Sequence, residues 1–275
     1  ISKFLDKEFF SRKGSWHALI YCWRGGQRSR SLALVLNEIG WRISILRGGY
    51  KNYRKKVLYE LDDLSKYQFK IIQGQTGSAK TKILNCLNNM NAQVIDLENL
   101  ACHRGSLLGS EINKKQHSQR YFESLLHNAI DKFDCTKPIF IESESSKIGK
   151  LHLPKKLWLK LNESDRLLLN VPIDERIKFL LKEYKHLTKD CKLIQPFING
   201  MKGKISNEKL SNWTNLIQKK DWGNFVKEIL ENHYDPKYNF SATKHMNKIK
   251  HKIDIIELNK LSIDNASKKI LEYFN

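Results

Sequence analysis

Tyr21-Cys22-Trp23-Arg24-Gly25-Gly26-Gln27-Arg28-Ser29 sets one thiol among two glycines and two arginines. That composition suits a thiolate working on an anion. Gly25 and Gly26 let the backbone curl so that successive N–H groups point inward. A helix opening at Ser29 adds partial positive charge at its N-terminus, and Arg24 and Arg28 add full charges. Each contribution favours thiolate over thiol, so Cys22 is expected to have a lowered pKa and to be a ready nucleophile. A structural cysteine at a strand end is the alternative for a lone thiol; the loop and its arginines weigh against it.

A second constellation lies at Gly74-Gln75-Thr76-Gly77-Ser78-Ala79-Lys80-Thr81. It follows the pattern G-x-x-x-x-G-K-[ST], with Ala79 where the second glycine usually stands. In such a loop the backbone N–H groups cradle a di- or triphosphate, Lys80 neutralises charge and Thr81 reaches Mg²⁺. A methyl at position 79 is expected to crowd the phosphate or alter the loop's curvature, which weakens the case for vigorous nucleotide hydrolysis but not for phosphate binding. His103 and Arg104 sit in a polar, glycine-bearing loop after the next strand. Glu142 and Glu144 end a third strand, where a P-loop protein keeps the acid that orders Mg²⁺ or a water.

The elements that must position these residues are readable from apolar runs. Ala18 to Tyr21 predicts a short buried strand before the thiol loop, and Leu32, Leu34, Val35 and Leu36 predict a helix from Ser29 to Glu38. Lys51 to Lys66 predicts a charged, helix-compatible link. Phe69 to Gln73, Gln93 to Leu97, Pro138 to Glu144 and Leu167 to Val171 predict four strands. A helix is expected from the P-loop to Leu87, another reaching Phe133, and a third opening at Pro172 with Asp174-Glu175-Arg176. From about Thr188 the pattern turns helical and basic, with Trp213, Trp222, Tyr234, Tyr238 and Phe240 among lysines. These aromatics suit either base stacking on RNA or a helical core.

The chain has 275 residues, which suggests about two domains, and a net charge of +20 from 49 Lys and Arg against 29 Asp and Glu. A polyanion is the partner this implies, nucleic acid before membrane; compositional bias towards lysine is the competing explanation. Cys22, Cys86, Cys102, Cys135 and Cys191 are odd in number and scattered. They form neither a disulfide framework nor a metal-ligand spacing, which predicts a reducing, cytoplasmic setting and no tightly bound metal. No apolar run approaches the ~18 residues of a membrane span, and no signal-peptide pattern is present.

The thiol loop resembles the active-site loop of the rhodanese family, and Ser44-Ile45-Leu46-Arg47-Gly48-Gly49-Tyr50 resembles that fold's last strand and Gly-Gly turn. Cys22 to Arg28 also has the Cys-x5-Arg spacing of cysteine phosphatases, so the loop alone does not choose between the chemistries. Tyr21 rather than a histidine precedes the cysteine, which leans towards transfer of sulfur or selenium. Only about fifty residues precede the next domain, so the first unit is expected to be the C-terminal half of a rhodanese-like domain.

Taken together, these segments resemble the tRNA 2-selenouridine synthase family, with His103-Arg104-Gly105-Ser106, Phe140-Ile141-Glu142-Ser143-Glu144 and His233-Tyr234-Asp235-Pro236-Lys237-Tyr238 as further matches. The resemblance implies an α/β chain: a partial rhodanese-like unit (1–57), a P-loop parallel-sheet domain (67–187) and a basic helical C-terminal region (188–275). It also implies replacement of sulfur by selenium in wobble 2-thiouridine of tRNA, with selenophosphate and geranyl diphosphate as co-substrates and a geranylated intermediate. Cys22 would handle selenium, with Arg24, Gly25, Gly26, Gln27, Arg28 and Ser29 as its anion site. The P-loop would hold a diphosphate, with Mg²⁺ as a candidate helper. The anticodon arm and a selenophosphate synthetase are the expected partners. A phosphatase, a P-loop nucleotide-binding enzyme and a non-catalytic RNA-binding remnant are the alternatives.

Overall fold

The computed structural model describes residues 2–9, 12, 15–103, 115–142, 145–189, 191–239 and 253–274. The chain divides into two compact units, Ile1–Leu61 and Asp62–Asn275.

The first unit contains α1 (Ser2–Glu8), β1 (His17–Ile20), α2 (Gln27–Glu38), β2 (Arg42–Ile45) and α3 (Gly49–Asp62). β1 and β2 pair in parallel, with Ala18 opposite Ile43 and Ile20 opposite Ile45. Its small core gathers Phe9, Ala18 and Leu36, with Trp16 and Trp41 packed against them edge to face. The strand is one residue earlier than the apolar run suggested, and α2 begins at Gln27, so Cys22 lies in the turn between a strand and a helix N-terminus.

The second unit is built on a five-stranded, all-parallel sheet. Its strands are β3 (Phe69–Gly74), β4 (Gln93–Ile95), β5 (Ile139–Glu142), β8 (Asp165–Asn170) and β9 (Ile253–Glu257), in the order β4-β5-β3-β8-β9. The two-residue strands β6 (Lys147–Ile148) and β7 (Leu151–His152) form a separate antiparallel hairpin. β5 is buried along its whole length, as a strand covered on both faces must be, which explains its unbroken Ile139-Phe140-Ile141 run. The chain leaves the central β3 towards β4 on one side and later returns to β8 on the other. The loop after β3 therefore sits where the strand order reverses, the usual binding position in such sheets.

α4 (Lys80–Asn89) places Ile83, Leu84 and Leu87 on one face, at the spacing of a helix stripe. They pack with Ile72, Phe140, Leu167 and Leu169 of the sheet. Short helices α5 (Leu97–Ala101), α6 (Gln119–Ile130) and α7 (Lys155–Asn162) connect the following strands. Beyond β8 come α8 (Ile173–Glu183), α9 (Lys185–Lys189), a 3-10 turn, then α10 (Gln195–Met201), α11 (Asn207–Gln218) and α12 (Trp222–Ile229). The last three form a second core around Phe197, Trp213 and Phe225.

The region after 188 is therefore helical as expected, with one addition. β9 joins the sheet beside β8, and the final helix α13 (Ile263–Phe274) contributes Ala266 and Ile270 to the same core as α4. Ile253, Ile255 and Ile256 form a short β-branched run that suits a strand, and β9 forms the edge of the sheet with Ile253 and Ile256 partly buried and Ile255 exposed. No helix among the described residues is long and apolar enough to cross a membrane.

Candidate functional site

The thiol loop is held open by backbone packing between distant glycines. Gly25 has φ +64°, and a Cβ there would lie 2.7 Å from the Gly49 nitrogen. Gly49 has φ +63°, and a side chain would run into the Cys22 carbonyl. Only glycine fits either place. The first amides of α3 then use the loop as their cap: Tyr50 N–H donates to the Cys22 carbonyl at 3.0 Å and Lys51 N–H to that of Trp23 at 2.9 Å. These are helix-terminal donors that would otherwise lack partners.

With its carbonyls drawn towards α3, the loop turns its amides towards sulfur. Gly26 N–H donates to Cys22 Sγ at 3.2 Å, and Ser29 Oγ lies 3.3 Å from it. The Cys22 pKa is lowered to about 6: first by the Ser29 hydroxyl, against some desolvation, then by the amides of Gly26, Ser29 and Arg24. Hydrogen bonds thus lower it, where the sequence pointed equally to the arginine charges. The Ser29 hydroxyl has one proton and two acceptors, for it also reaches the Gly26 carbonyl at 3.0 Å. Ionised sulfur is the stronger acceptor, so the proton turns to it as the thiolate forms. Cys22, Trp23, Arg24, Gly26, Gln27 and Arg28 line an open hollow of about 430 Å³.

The loop after β3 is a compact turn. Ser78 N–H and Oγ both bond to the Gln75 carbonyl, at 3.2 and 2.8 Å. Gly74 leaves room for that hydroxyl, and Gly77, at φ +89°, lies against Arg176 and Leu180 of α8. Ala79 adopts φ +58°, ψ +26°, the left-handed conformation a glycine would take at no cost. The curvature is thus present despite the methyl, at the expense of backbone strain. Lys80 Nζ donates to the Gly74 carbonyl at 2.8 Å, folded back across the loop. Thr81 Oγ1 donates to Glu142 Oε2 at 3.3 Å. Glu142 is 2 % exposed at the end of β5, beside β3. A hydroxyl and a carboxylate in that relation are the oxygen ligands Mg²⁺ takes in phosphate sites.

Among the other predicted cleft residues, His103 follows α5 and lies against the Gly149 turn together with Gln116. Arg104 and Glu144 lie outside the described residues, as does Phe240.

Three residues brace the phosphate loop: Arg176 and Asp235, which had no role assigned from sequence, and Tyr238, which the sequence offered as a stacking or core aromatic. Arg176 is 3 % exposed and donates from Nη1 to the Thr76 carbonyl at 3.2 Å. It also makes a two-pronged ion pair with Asp235, at 2.9 and 2.8 Å. Tyr238 hydrogen-bonds with the Gly74 backbone, and burial pushes its pKa up to about 12. Thr76 also forms part of the wall of an apolar cavity of about 110 Å³, with Leu180, Phe197, Trp222, Phe225 and Tyr234 around it. Trp213 is fully buried, and Trp222 and Tyr234 pack partly buried against its cluster. For these aromatics the helical-core alternative is therefore the one realised.

A family profile described as the tRNA 2-selenouridine synthase AAA domain matches residues 67–220, more than half of the chain. The chain belongs to the tRNA 2-selenouridine synthase family. A family member so named from Sulfurovum sp. is 31% identical over 84% of this chain and 70% of its own length. Another from Psychromonas ingrahamii is 27% identical over the same shares. One from Shewanella sediminis reaches 36% over 62% of this chain and 46% of its own. The 2-selenouridine synthase profile covers the phosphate loop, Glu142 and Arg176; the thiol loop lies ahead of it.

Proposed function

We propose that the chain is a tRNA-modifying transferase that converts wobble 2-thiouridine to 2-selenouridine with selenophosphate, through an S-geranylated intermediate. The observation that supports this above all is the presence, in one chain, of a thiol whose pKa is lowered to about 6 and of a phosphate loop whose Thr76 also walls an apolar cavity. A prenyl diphosphate has that division: an anionic head for the loop and an apolar tail for the cavity. The adenosine of ATP is polar and would find few partners among Leu180, Phe197 and Phe225.

In the first step the thiouridine sulfur forms a bond to C1 of the geranyl group. The C1–O bond breaks, diphosphate leaves with the electron pair, and the base gives up its N3 proton. Lys80 and the loop amides stabilise the charge that gathers on the leaving diphosphate. Thr81 and Glu142 are the residues that would hold Mg²⁺ there. In the second step the Cys22 thiolate attacks the phosphorus of selenophosphate, the P–Se bond breaks and selenide leaves; selenide bonds to C2 as geranyl thiolate departs, and water cleaves the S–P bond to return Cys22 and phosphate. Arg24, Arg28 and the loop amides are the anion site for that phosphate. The net charge of +20 supports binding of the tRNA anticodon arm. A selenophosphate synthetase is the natural supplier of the selenium donor.

The test is a nucleoside mass analysis of tRNA treated with wild-type protein, Cys22→Ser and Lys80→Ala. The serine variant should make geranylated thiouridine but no 2-selenouridine, and the alanine variant should make little of either. Wild-type levels of 2-selenouridine from Cys22→Ser would make the thiol structural. Turnover of a small aryl phosphate would favour the phosphatase reading, and tighter binding of ATP than of geranyl diphosphate the nucleotide-enzyme reading.

A further inference from the structure

Trp23 follows the thiol directly and lines the same hollow, yet its side chain is 45 % exposed. It takes no part in the first unit's core, which is built from Phe9, Ala18 and Leu36 with Trp16 and Trp41. Its ring is instead backed by Tyr50, at 5.5 Å between centroids and a tilt of 36°. Tyr50 is in turn followed along α3 by Tyr53 at 6.0 Å. The Lys51 N–H bond to the Trp23 carbonyl and the Tyr50 N–H bond to that of Cys22 fix this aromatic column relative to the sulfur.

Charge surrounds the column. Arg24, Arg28 and Lys51 are exposed beside it, and the first unit carries thirteen Lys and Arg against four Asp and Glu. The hollow is open and, at about 430 Å³, has room for more than a small anion. An exposed indole, supported from one side and ringed by cations, matches a flat ring on a polyanion. We propose that Trp23, backed by Tyr50, stacks with an unpaired nucleobase of the RNA and holds it at the mouth of the Cys22 hollow. This rests on the reading of the chain as a tRNA-modifying enzyme and adds the residue that positions the base. Stacking would serve any base, so Trp23 supplies placement while the identity of the base is read elsewhere.

The test uses the full chain with Trp23→Ala, Trp23→Phe and Trp23→Leu. An anticodon stem-loop RNA and the same RNA abasic at the wobble position are titrated from about 50 to 200 mM salt. Trp23→Ala should weaken binding of the intact RNA by about tenfold or more, by the same factor at every salt concentration, because stacking releases no counterions. Phe should restore most of the loss and Leu should not. Wild-type protein and Trp23→Ala should bind the abasic RNA alike. Cys22 alkylation in each variant checks that the loop is intact, and the Phe and Leu pair carries the comparison if alanine disturbs it. Equal behaviour of Phe and Leu, or an equal loss on intact and abasic RNA, would overturn the stacking role. Failure of the wild-type protein to selenate tRNA would instead count against the function, since the stacking is read from affinity alone.

Discussion

The thiol loop and the phosphate loop are both strand–turn–helix anion cradles, but they stand in opposite states. Around Cys22 the donors already point at the reacting atom, and the sulfur takes bonds from Ser29 and Gly26. In the phosphate loop the cation is turned inward, with Lys80 on the Gly74 carbonyl and Thr81 on Glu142. The first loop aims its donors at its own nascent anion. The second turns its donors onto a carbonyl and a carboxylate of its own surroundings. Their supports differ as well: the thiol loop leans on the first turn of α3, whereas the phosphate loop leans on Arg176, Asp235 and Tyr238, far along the chain.

The largest effect should come from removing that distant support. Asp235→Ala leaves the Arg176 guanidinium buried without its carboxylate, a change that costs about 3 kcal/mol or more. Urea unfolding followed by circular dichroism should show it, and diphosphate affinity should fall with it. A loss below about 1 kcal/mol would mean the loop keeps its shape without the brace.

Lys80→Ala comes next. A charge-assisted hydrogen bond contributes about 1.5–3 kcal/mol, and the low end applies because the lysine first gives up the Gly74 carbonyl. Calorimetry with geranyl diphosphate should therefore show roughly tenfold weaker binding. Unchanged affinity would remove the loop from the mechanism.

Ala79→Gly should raise stability slightly. Relief of the left-handed conformation is worth about 1–2 kcal/mol, and the added freedom of the unfolded glycine takes back about 0.4–1. The expected net gain is about 0.5 kcal/mol, read from the same urea curves. A loss would place the methyl in a packing role.

The mildest change tests the thiol loop. Ser29→Ala removes the largest contribution to the depressed pKa of Cys22, so the midpoint of its alkylation should move up from about 6. The variant should react more slowly than wild type near pH 6–7 and match it once both thiols are ionised at higher pH. An unmoved midpoint would transfer the credit to the backbone amides.

Both loops were legible in the sequence because each is contiguous. Glycines, a nucleophile or lysine, and an adjacent apolar run lie within a dozen residues, and local sterics dictate the turn. Glu142 was legible as the end of an apolar strand. The brace was not. Arg176 meets Thr76 a hundred residues upstream and Asp235 fifty-nine downstream, distances over which spacing carries no signal. Tyr238 looked like one aromatic among lysines, and only the fold puts it against Gly74. Trp213 and Trp23 show the same limit from the other side. Each sits in a polar, basic stretch, yet one is fully buried and the other 45 % exposed. What separates them is whether α10 and α12 close over the ring. β9 had a readable cue in Ile253, Ile255 and Ile256, overshadowed by the lysine-rich helical stretch before it.

The close approach of Gly25 and Gly49 bears on how the first unit assembles. The donors to sulfur are local, from Arg24 to Ser29, but the curl that aims them is clamped by the start of α3. A fragment ending after α2 would have the cysteine, the glycines and the arginines and still lack the clamp. Its thiol would titrate like that of an unstructured peptide. Acidity at Cys22 thus depends on the docking of α3 as well as on the local donors. In a refolding experiment, the appearance of rapid alkylation near pH 6.5 would time that docking event.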